Sequence, residues 1–148
     1  MNRFTTAVLI VAITGSTIQL VPYGKNHSNP PVVREPAWNS PVTRELVKKA
    51  CFDCHSNETT WPWYSKIAPM SWLVQWDVVE GREHLNFSDW RGGSRKSENP
   101  HEISKEVAEG EMPPPQYYIA HPEAKLGAQA KKLLIDGLAA TAAASSRR

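Results

Sequence analysis

The chain has little of what several common protein classes require. It contains only two cysteines, and its other histidines (His27, His84, His101 and His121) are scattered without paired spacing, so a structural zinc site is not expected. No segment alternates long enough to predict a β-strand, and no internal repeat is visible. The 17 basic and 15 acidic side chains are interspersed, with a net charge of +2, which excludes a basic stripe for nucleic acid. One all-α domain is expected within the 148 residues.

The two cysteines lie in the motif Cys51-Phe52-Asp53-Cys54-His55. A Cys-x-x-Cys pair followed directly by histidine is the arrangement that attaches c-type haem, because the two thiols add to the haem vinyl groups and the histidine ligates the iron. A thiol–disulfide exchange pair and a plain structural disulfide are the alternatives. An exchange pair is expected to open a helix after a buried strand, whereas here the motif closes a helical stretch. We therefore predict covalent haem c, with Cys51, Cys54 and His55 as binding residues.

The second axial position of the iron decides between electron transfer and chemistry on a small bound molecule. Met112 follows a helix stop at Gly110 and precedes a run of prolines, whose rigid backbone favours it as the distal ligand. An iron with an open distal site remains an alternative. The other candidate ligands are Met70, a typical core residue, and the histidines His84 and His101, of which His84 is better placed. His121, followed by Pro122, is expected to buttress a turn.

Four segments are predicted along the chain. Residues 1–24 have Arg3 before the apolar run Ala7–Ala12 and are interpreted as a signal or membrane anchor, although interrupting polar residues weaken a spanning helix, which needs about 20 apolar residues. The Pro-rich residues 25–40 predict a tether. Residues 41–142 are the predicted haem-binding domain, and 143–148 a frayed tail. The membrane-facing segment predicts a periplasmic or other extracytoplasmic location, tethered to the inner membrane.

Helix signals recur through the domain. Ser40 and Pro41 predict the start of a first helix that ends at Cys51, and Ser71 is the predicted N-cap of a second. A loop over Arg91–Pro100, a short helix His101–Glu109 and a last helix from about Ala128 follow. Most of the six tryptophans lie between Trp61 and Trp90, where they are expected to supply flat apolar walls for a porphyrin.

The region from Pro41 to Leu138 resembles the bacterial haem-binding domain family of small, membrane-tethered c-type cytochromes. The resemblance implies covalent haem, His55 as proximal ligand and a helical, cytochrome c-like fold, and it points to Met112 on the distal side. Two positions depart from the family pattern, Gln116 in place of tryptophan and Gly127 in place of a Ser or Thr cap. The last helix also contains Gly137 and an alanine-rich end, which predict looser packing of this helix on the first. The blocks that carry the resemblance are Cys51-Phe52-Asp53-Cys54-His55-Ser56-Asn57, Trp61-Pro62-Trp63-Tyr64, Ala68-Pro69-Met70-Ser71-Trp72, Gly81-Arg82-Glu83-His84-Leu85-Asn86-Phe87, Gly110-Glu111-Met112-Pro113-Pro114 and His121-Pro122-Glu123-Ala124.

These observations predict a one-electron carrier that exchanges electrons with redox partner proteins. The second hypothesis is a haem sensor or peroxidase-like protein with an open iron, in which His84 or Arg82 assists distal chemistry. Those two residues are two positions apart, which on a helix turns them to different faces. The third hypothesis is a thiol oxidoreductase without haem.

Overall fold

The computed structural model describes residues 2–90 and 100–146, and these residues form seven α-helices and two short 3-10 helices. No strand occurs in these ranges; Arg34 and Asp89 form an isolated parallel bridge. The predicted all-α class is confirmed. The α-helices are α1 (Arg3–Ile18), α2 (Pro41–Ala50), α3 (Phe52–His55), α4 (Met70–His84), α5 (Pro100–Glu109), α6 (Tyr117–Ala120) and α7 (Ala128–Ser146), and the 3-10 helices are Trp63–Lys66 and Pro122–Ala124.

The helix starts follow local capping chemistry in one of the two predicted cases. Ser40 precedes α2, and its hydroxyl accepts a hydrogen bond from the Thr43 N–H at 3.2 Å, as predicted. The prediction for Ser71 is wrong, because α4 begins at Met70 after Pro69 and Ser71 is buried within its first turn. Pro100 begins α5, and the rest of the predicted loop, residues 91–99, lies outside the described residues.

The core lies between α2, α5 and α7 and continues under α3. Helices α5 and α7 pack along each other, and α7 also crosses α2. Burying these apolar faces supplies the main favourable term of folding. The buried cluster consists of Val47, Ala50, Phe52, Phe87, Trp90, Ile103, Val107, Leu134 and Leu138.

The crossing of α2 and α7 is tight, not loose. A Cβ atom on Gly137 would lie 2.2 Å from the Thr43 hydroxyl and 2.7 Å from its methyl group. The glycine therefore lets the two helices approach more closely than any other residue would allow, and the predicted looser packing is wrong. Helix α7 also continues to Ser146, into the predicted tail, and Ser145 is only 6% exposed.

Segment 25–40 has no regular secondary structure, as its prolines predict, but it packs against the helices instead of standing free. The N–H groups of Val33 and Arg34 donate to the Ser88 carbonyl at 2.8 and 3.0 Å, and the Trp90 N–H donates to the Arg34 carbonyl at 2.9 Å. The Trp38 ring lies 5.4 Å from the Phe87 ring. This segment is part of the folded unit.

The predicted N-terminal hydrophobic segment forms helix α1, but this helix has only 16 residues, with several Thr and Ser among them, and is not a long apolar helix; none of its residues is buried. No helix within the described ranges has the length and apolar content needed to cross a membrane.

Candidate functional site

One short helical turn presents the two cysteines and the histidine. Cys51 ends α2 and begins α3, and its carbonyl accepts a hydrogen bond from the His55 N–H at 2.9 Å. Phe52 is 2% exposed and packs against Phe87, with ring centroids 5.9 Å apart. Because Phe52 anchors one face of the turn in the core, the Cys51, Cys54 and His55 side chains occupy the other face, beside a cavity.

The imidazole of His55 is oriented by the end of α4. Its Nδ1 lies 2.9 Å from the Gly81 carbonyl oxygen and 3.1 Å from the Leu85 carbonyl oxygen. A carbonyl oxygen can only accept, so Nδ1 carries the ring proton and the lone pair lies on Nε2. Metal-ligating histidines are typically fixed in this way, by donating the second ring N–H to a carbonyl. The contacts of His55 Nδ1 therefore match those of histidines that ligate a metal through Nε2.

Gly81 allows α4 to approach the cysteine turn. A Cβ atom at this position would lie 2.5 Å from the Cys54 carbonyl oxygen and 3.0 Å from the Cys54 Cβ. No side chain larger than hydrogen fits there without displacing backbone. The same residue thus sets the distance between α4 and Cys54 and supplies a carbonyl to His55.

A cavity of about 350 Å³ brings the predicted site residues together. Cys51, Cys54, His55 and Met112 line it, and so does His84, the alternative distal ligand. An apolar cavity with few polar groups is typical of cofactor sites. Its apolar lining includes Ala50, Trp76, Leu85, Phe87, Ile103, Val107 and Pro113.

Both thiols remain protonated at neutral pH. Burial raises the pKa of Cys51 to about 12, and the Cys54 thiolate adds a smaller effect in the same direction. Burial also raises the pKa of Cys54 to about 12, assisted by the carboxylates of Asp77 and Asp53. A thiol–disulfide exchange pair needs a lowered pKa to form the attacking thiolate. The environment of Cys51 and Cys54 therefore disfavours the exchange hypothesis.

Met112 reaches the cavity through the turn that ends α5. Gly110 has φ +85°, the left-handed conformation that the predicted helix stop requires. The Glu106 carbonyl accepts from the N–H groups of Gly110, Glu111 and Met112 at 3.1, 3.0 and 3.3 Å. This turn reverses the chain and directs it along the cavity, where the Met112 side chain remains 40% exposed.

The remaining candidate ligands have other surroundings. His84 lies in the last turn of α4 with its Nε2 3.6 Å from a carboxylate oxygen of Glu80. Met70 lines a second cavity of about 360 Å³, which shares Cys54 and Asp77 with the first. His121 contacts the hydroxyl of Tyr64 at 3.0 Å and stacks on Tyr117 at 4.2 Å, which confirms the predicted buttress. The side chain of His101 lies outside the described residues.

Asp53 and Arg82 hold the cysteine turn in place, a role that was not predicted from the sequence for either residue. Asp53 accepts from the Tyr117 hydroxyl at 2.7 Å and from the Thr60 N–H at 2.9 Å. Arg82 donates to the Ser56 carbonyl at 2.7 Å and to Asn29 at 2.9 Å. The only sequence signal for this role was position: Asp53 lies between the two cysteines of the haem motif, and Arg82 directly follows Gly81.

Few of the tryptophans line the cavity; Trp90 belongs to the buried core and Trp38 packs against it. Only Trp76 among the described tryptophans lines the first cavity. Trp90 stacks on Phe87 with ring centroids 5.9 Å apart, and Trp61 stacks on His27 at 4.6 Å. The prediction that the Trp61–Trp90 region supplies the walls is therefore wrong for most of these residues.

Comparison with known proteins gives one match. A family model described as the haem-binding domain matches residues 13–140. The matched range includes the end of α1 and the whole of segment 25–40, in addition to the helices around the cavity. No curated protein and no solved structure matches the chain.

Proposed function

The chain belongs to the haem-binding domain family, and we propose that it holds haem c covalently and serves as a one-electron carrier outside the cytoplasm. The observation that carries this proposal is the meeting of Cys51, Cys54 and an oriented His55 at one cavity. When bound, haem iron supplies one-electron exchange between its ferrous and ferric forms. The protein supplies the attachment, the ligands and the surrounding dielectric.

The residues around the cavity fit this group. Two thiols lie one turn apart on its wall, and the carbonyls of Gly81 and Leu85 accept from Nδ1 of His55, as is typical of a histidine that ligates a metal. The cavity is mostly apolar, which suits the faces of a porphyrin. The raised pKa values of both thiols disfavour the thiolate that exchange with disulfides needs.

Met112 is the proposed distal ligand. His55 is held by the carbonyls of Gly81 and Leu85, at the end of α4, and His84 belongs to that same turn. Met112 comes from a different element, after the reversal at Gly110, and lines the same cavity as His55. A thioether opposite histidine raises the reduction potential and closes the iron to small molecules, which suits a carrier.

The peroxidase-like alternative has less support. Its distal cation would be Arg82, yet this guanidinium donates to Ser56, Asn29 and the Thr59 hydroxyl, at 2.7, 2.9 and 2.9 Å. These bonds lie beside the cysteine turn, and Arg82 is not among the residues that line the cavity. The arginine therefore has a structural role that accounts for its burial.

Membrane attachment through α1 and a location on the extracytoplasmic face complete the proposal, with redox proteins as partners. Support comes from the apolar, unburied surface of α1. Haem c is attached to reduced thiols in an otherwise oxidising compartment, so export is consistent with the cysteine motif.

The proposal is tested on protein exported by a host that attaches haem c. Mass spectrometry should show the mass of one haem and no free thiol, because both cysteines are consumed. The ferric protein should be low-spin with the weak red band of methionine–iron ligation, and the ferrous protein should not bind carbon monoxide. Met112→Ala should lose the band and bind carbon monoxide, whereas Met70→Ala, which changes the second cavity, should do neither.

Two results would contradict the proposal at different points. Free thiols in the exported protein would exclude covalent haem. Ready binding of carbon monoxide by the wild type, unchanged by Met112→Ala, would exclude Met112 as ligand and favour the sensor or peroxidase-like protein.

A further inference from the structure

Helix α1 presents its apolar side chains to its surroundings on every side. Phe4, Val11 and Ile13 are 78%, 71% and 65% exposed. Some of its hydroxyl groups are paired within the helix: Thr6 Oγ1 donates to the Asn2 carbonyl at 3.2 Å and Thr17 Oγ1 to the Ile13 carbonyl at 2.8 Å. An unburied helix with exposed apolar side chains on all sides suits an apolar medium.

The end of α1 is fixed to the haem-binding domain by a pair of hydrogen bonds. The Gln19 side-chain amide donates to the Ala68 carbonyl at 3.0 Å and its oxygen accepts from the Ala68 N–H at 3.0 Å. The chain that follows α1 also contacts the 3-10 helix Trp63–Lys66, where His27 Nε2 lies 3.0 Å from the Ser65 carbonyl oxygen. The family match begins at residue 13, so the matched range contains this junction.

Exposed aromatic and apolar residues gather at this junction. Leu20 is 81% exposed and Tyr23 is 48% exposed on the chain that leaves α1. On the neighbouring loop Trp63 is 75% exposed and Ile67 is 48% exposed, with Lys66 between them. Trp, Tyr and Lys side chains at the end of an apolar helix are typical of residues at a lipid–water interface.

We propose that loop 63–67 and residues Leu20–Tyr23, here called the junction surface, lie in the lipid–water interface, with α1 inserted in the bilayer. Helix α1 is roughly 24 Å long at 1.5 Å per residue, which is shorter than the roughly 30 Å of a bilayer core. A short inserted helix draws its flanking residues towards the lipid. Since Gln19 ties that end of the helix to Ala68, the domain is drawn with it and rests on the membrane instead of swinging on a spacer.

This inference rests on the proposed membrane attachment, and the experiment reports the two separately. Single-cysteine variants of the full-length haem protein are reconstituted in vesicles of phosphatidylcholine with phosphatidylglycerol. Each is treated with a charged, membrane-impermeant thiol reagent, and peptide mapping assigns the cysteine that reacts. Val8→Cys reports on α1, Ile67→Cys on the junction surface, and Leu133→Cys on exposed α7, where the side chain is 49% accessible. An unchanged haem spectrum shows that each variant is folded.

The expected result is protection at residues 8 and 67. Both should react at least about ten times more slowly than Leu133→Cys. Burying a side chain of isoleucine size shifts the equilibrium between its exposed and buried states by at least about a factor of ten. Adding Gln19→Ala should raise the reaction rate at residue 67 by roughly tenfold, because the two hydrogen bonds between Gln19 and Ala68 are lost. Residue 8 should stay protected. Asn26→Ala is the matched control, since its side chain accepts only within its own segment, from the Ser28 N–H at 3.2 Å.

Each contrary outcome has its own meaning. A fast reaction at 67 with residue 8 protected would overturn the junction surface and leave membrane attachment standing. Fast reactions at both positions would overturn the attachment and the inference together. Protection at 67 that persists in detergent and grows with protein concentration would assign this surface to a second copy of the chain and overturn the lipid contact. Mapped reaction at Cys51 or Cys54 would count against covalent haem only.

Discussion

Replacing Gly81 by alanine is the sharpest single perturbation of the site. The residue lies inside α4, where alanine is favoured over glycine by about 1 kcal/mol when nothing obstructs the methyl group. Here the added Cβ would lie 2.5 Å from the Cys54 carbonyl oxygen, whereas ordinary contact begins at 3.4 Å. The obstructing atom is backbone and cannot rotate away, so α4 or the cysteine turn must shift by about 0.9 Å.

The expected cost follows from two opposing effects. Forcing an extra methyl group into a well-packed site costs about 1–3 kcal/mol. Subtracting the gain of about 1 kcal/mol in helix propensity leaves a net loss of about 0–2 kcal/mol in the free energy of unfolding. The shift also changes the hydrogen bond of 2.9 Å from His55 Nδ1 to the Gly81 carbonyl, so the reduction potential of the haem should change with the stability.

Guanidinium unfolding of the haem protein, followed by haem absorbance, gives the free energy, and a redox titration gives the potential. Gly137→Ala is the matched control, because its Cβ would lie 2.2 Å from the Thr43 hydroxyl, away from the cavity. The control should lose stability with an unchanged potential and should recover when Thr43→Ala is added. If Gly81→Ala were as stable as the wild type with the same potential, the assigned role of Gly81 would be refuted.

Two further substitutions test the contacts around the cysteine turn. Glu35→Gln should lower the free energy of unfolding by about 1–2 kcal/mol at pH 7, because the hydrogen bond from Arg44, opposed by burial, holds the pKa of Glu35 below its usual value. Because the pKa of Glu35 is lower in the folded state than its ordinary value of 4.5, its ionised form stabilises the fold above about pH 4.5. The difference in free energy of unfolding between wild type and Glu35→Gln should therefore vanish as the pH falls through the folded-state pKa. A difference that does not change with pH would contradict this role of Glu35. Tyr117→Phe should cost about 1–2 kcal/mol in a denaturant titration by removing the hydrogen bond to Asp53. Tyr118→Phe is its control, and equal losses in the two variants would exclude a special role for Asp53.

Features that depend on a few neighbouring residues could be predicted from the sequence. The spacing of Cys51, Cys54 and His55 predicts a shared cavity wall, and that is where the structure has them. Ser40 caps α2 and Gly110 ends α5 as their local chemistry requires. In each case the interaction spans at most one helical turn, so the sequence contains both partners side by side.

Features that depend on distant partners could not be predicted. Helix propensity alone makes Gly81 and Gly137 unfavourable within helices, yet each permits a close approach to a residue far away in the chain. The prolines of segment 25–40 exclude regular hydrogen bonding but do not exclude packing, and the Pro31 carbonyl accepts from Asn57 at 2.8 Å. Tryptophan supplies apolar area to a core as readily as to a cofactor, so composition alone did not separate Trp90 from Trp76.

The two sides of the proposed site are held by different kinds of contact. On the histidine side, His55 is fixed by two carbonyls of the α4 terminus, Arg82 donates to the Ser56 carbonyl, and the Phe87 N–H donates to the His55 carbonyl at 2.8 Å. On the methionine side, Met112 follows a turn whose three N–H groups share one carbonyl, and its side chain is 40% exposed. Regions with few buried contacts open at lower free energy than the core. The His55 side is therefore the fixed half of the proposed site, and if Met112 ligates the iron as proposed, its exchange would require local movement of the Met112 turn, not unfolding of the helices that hold His55.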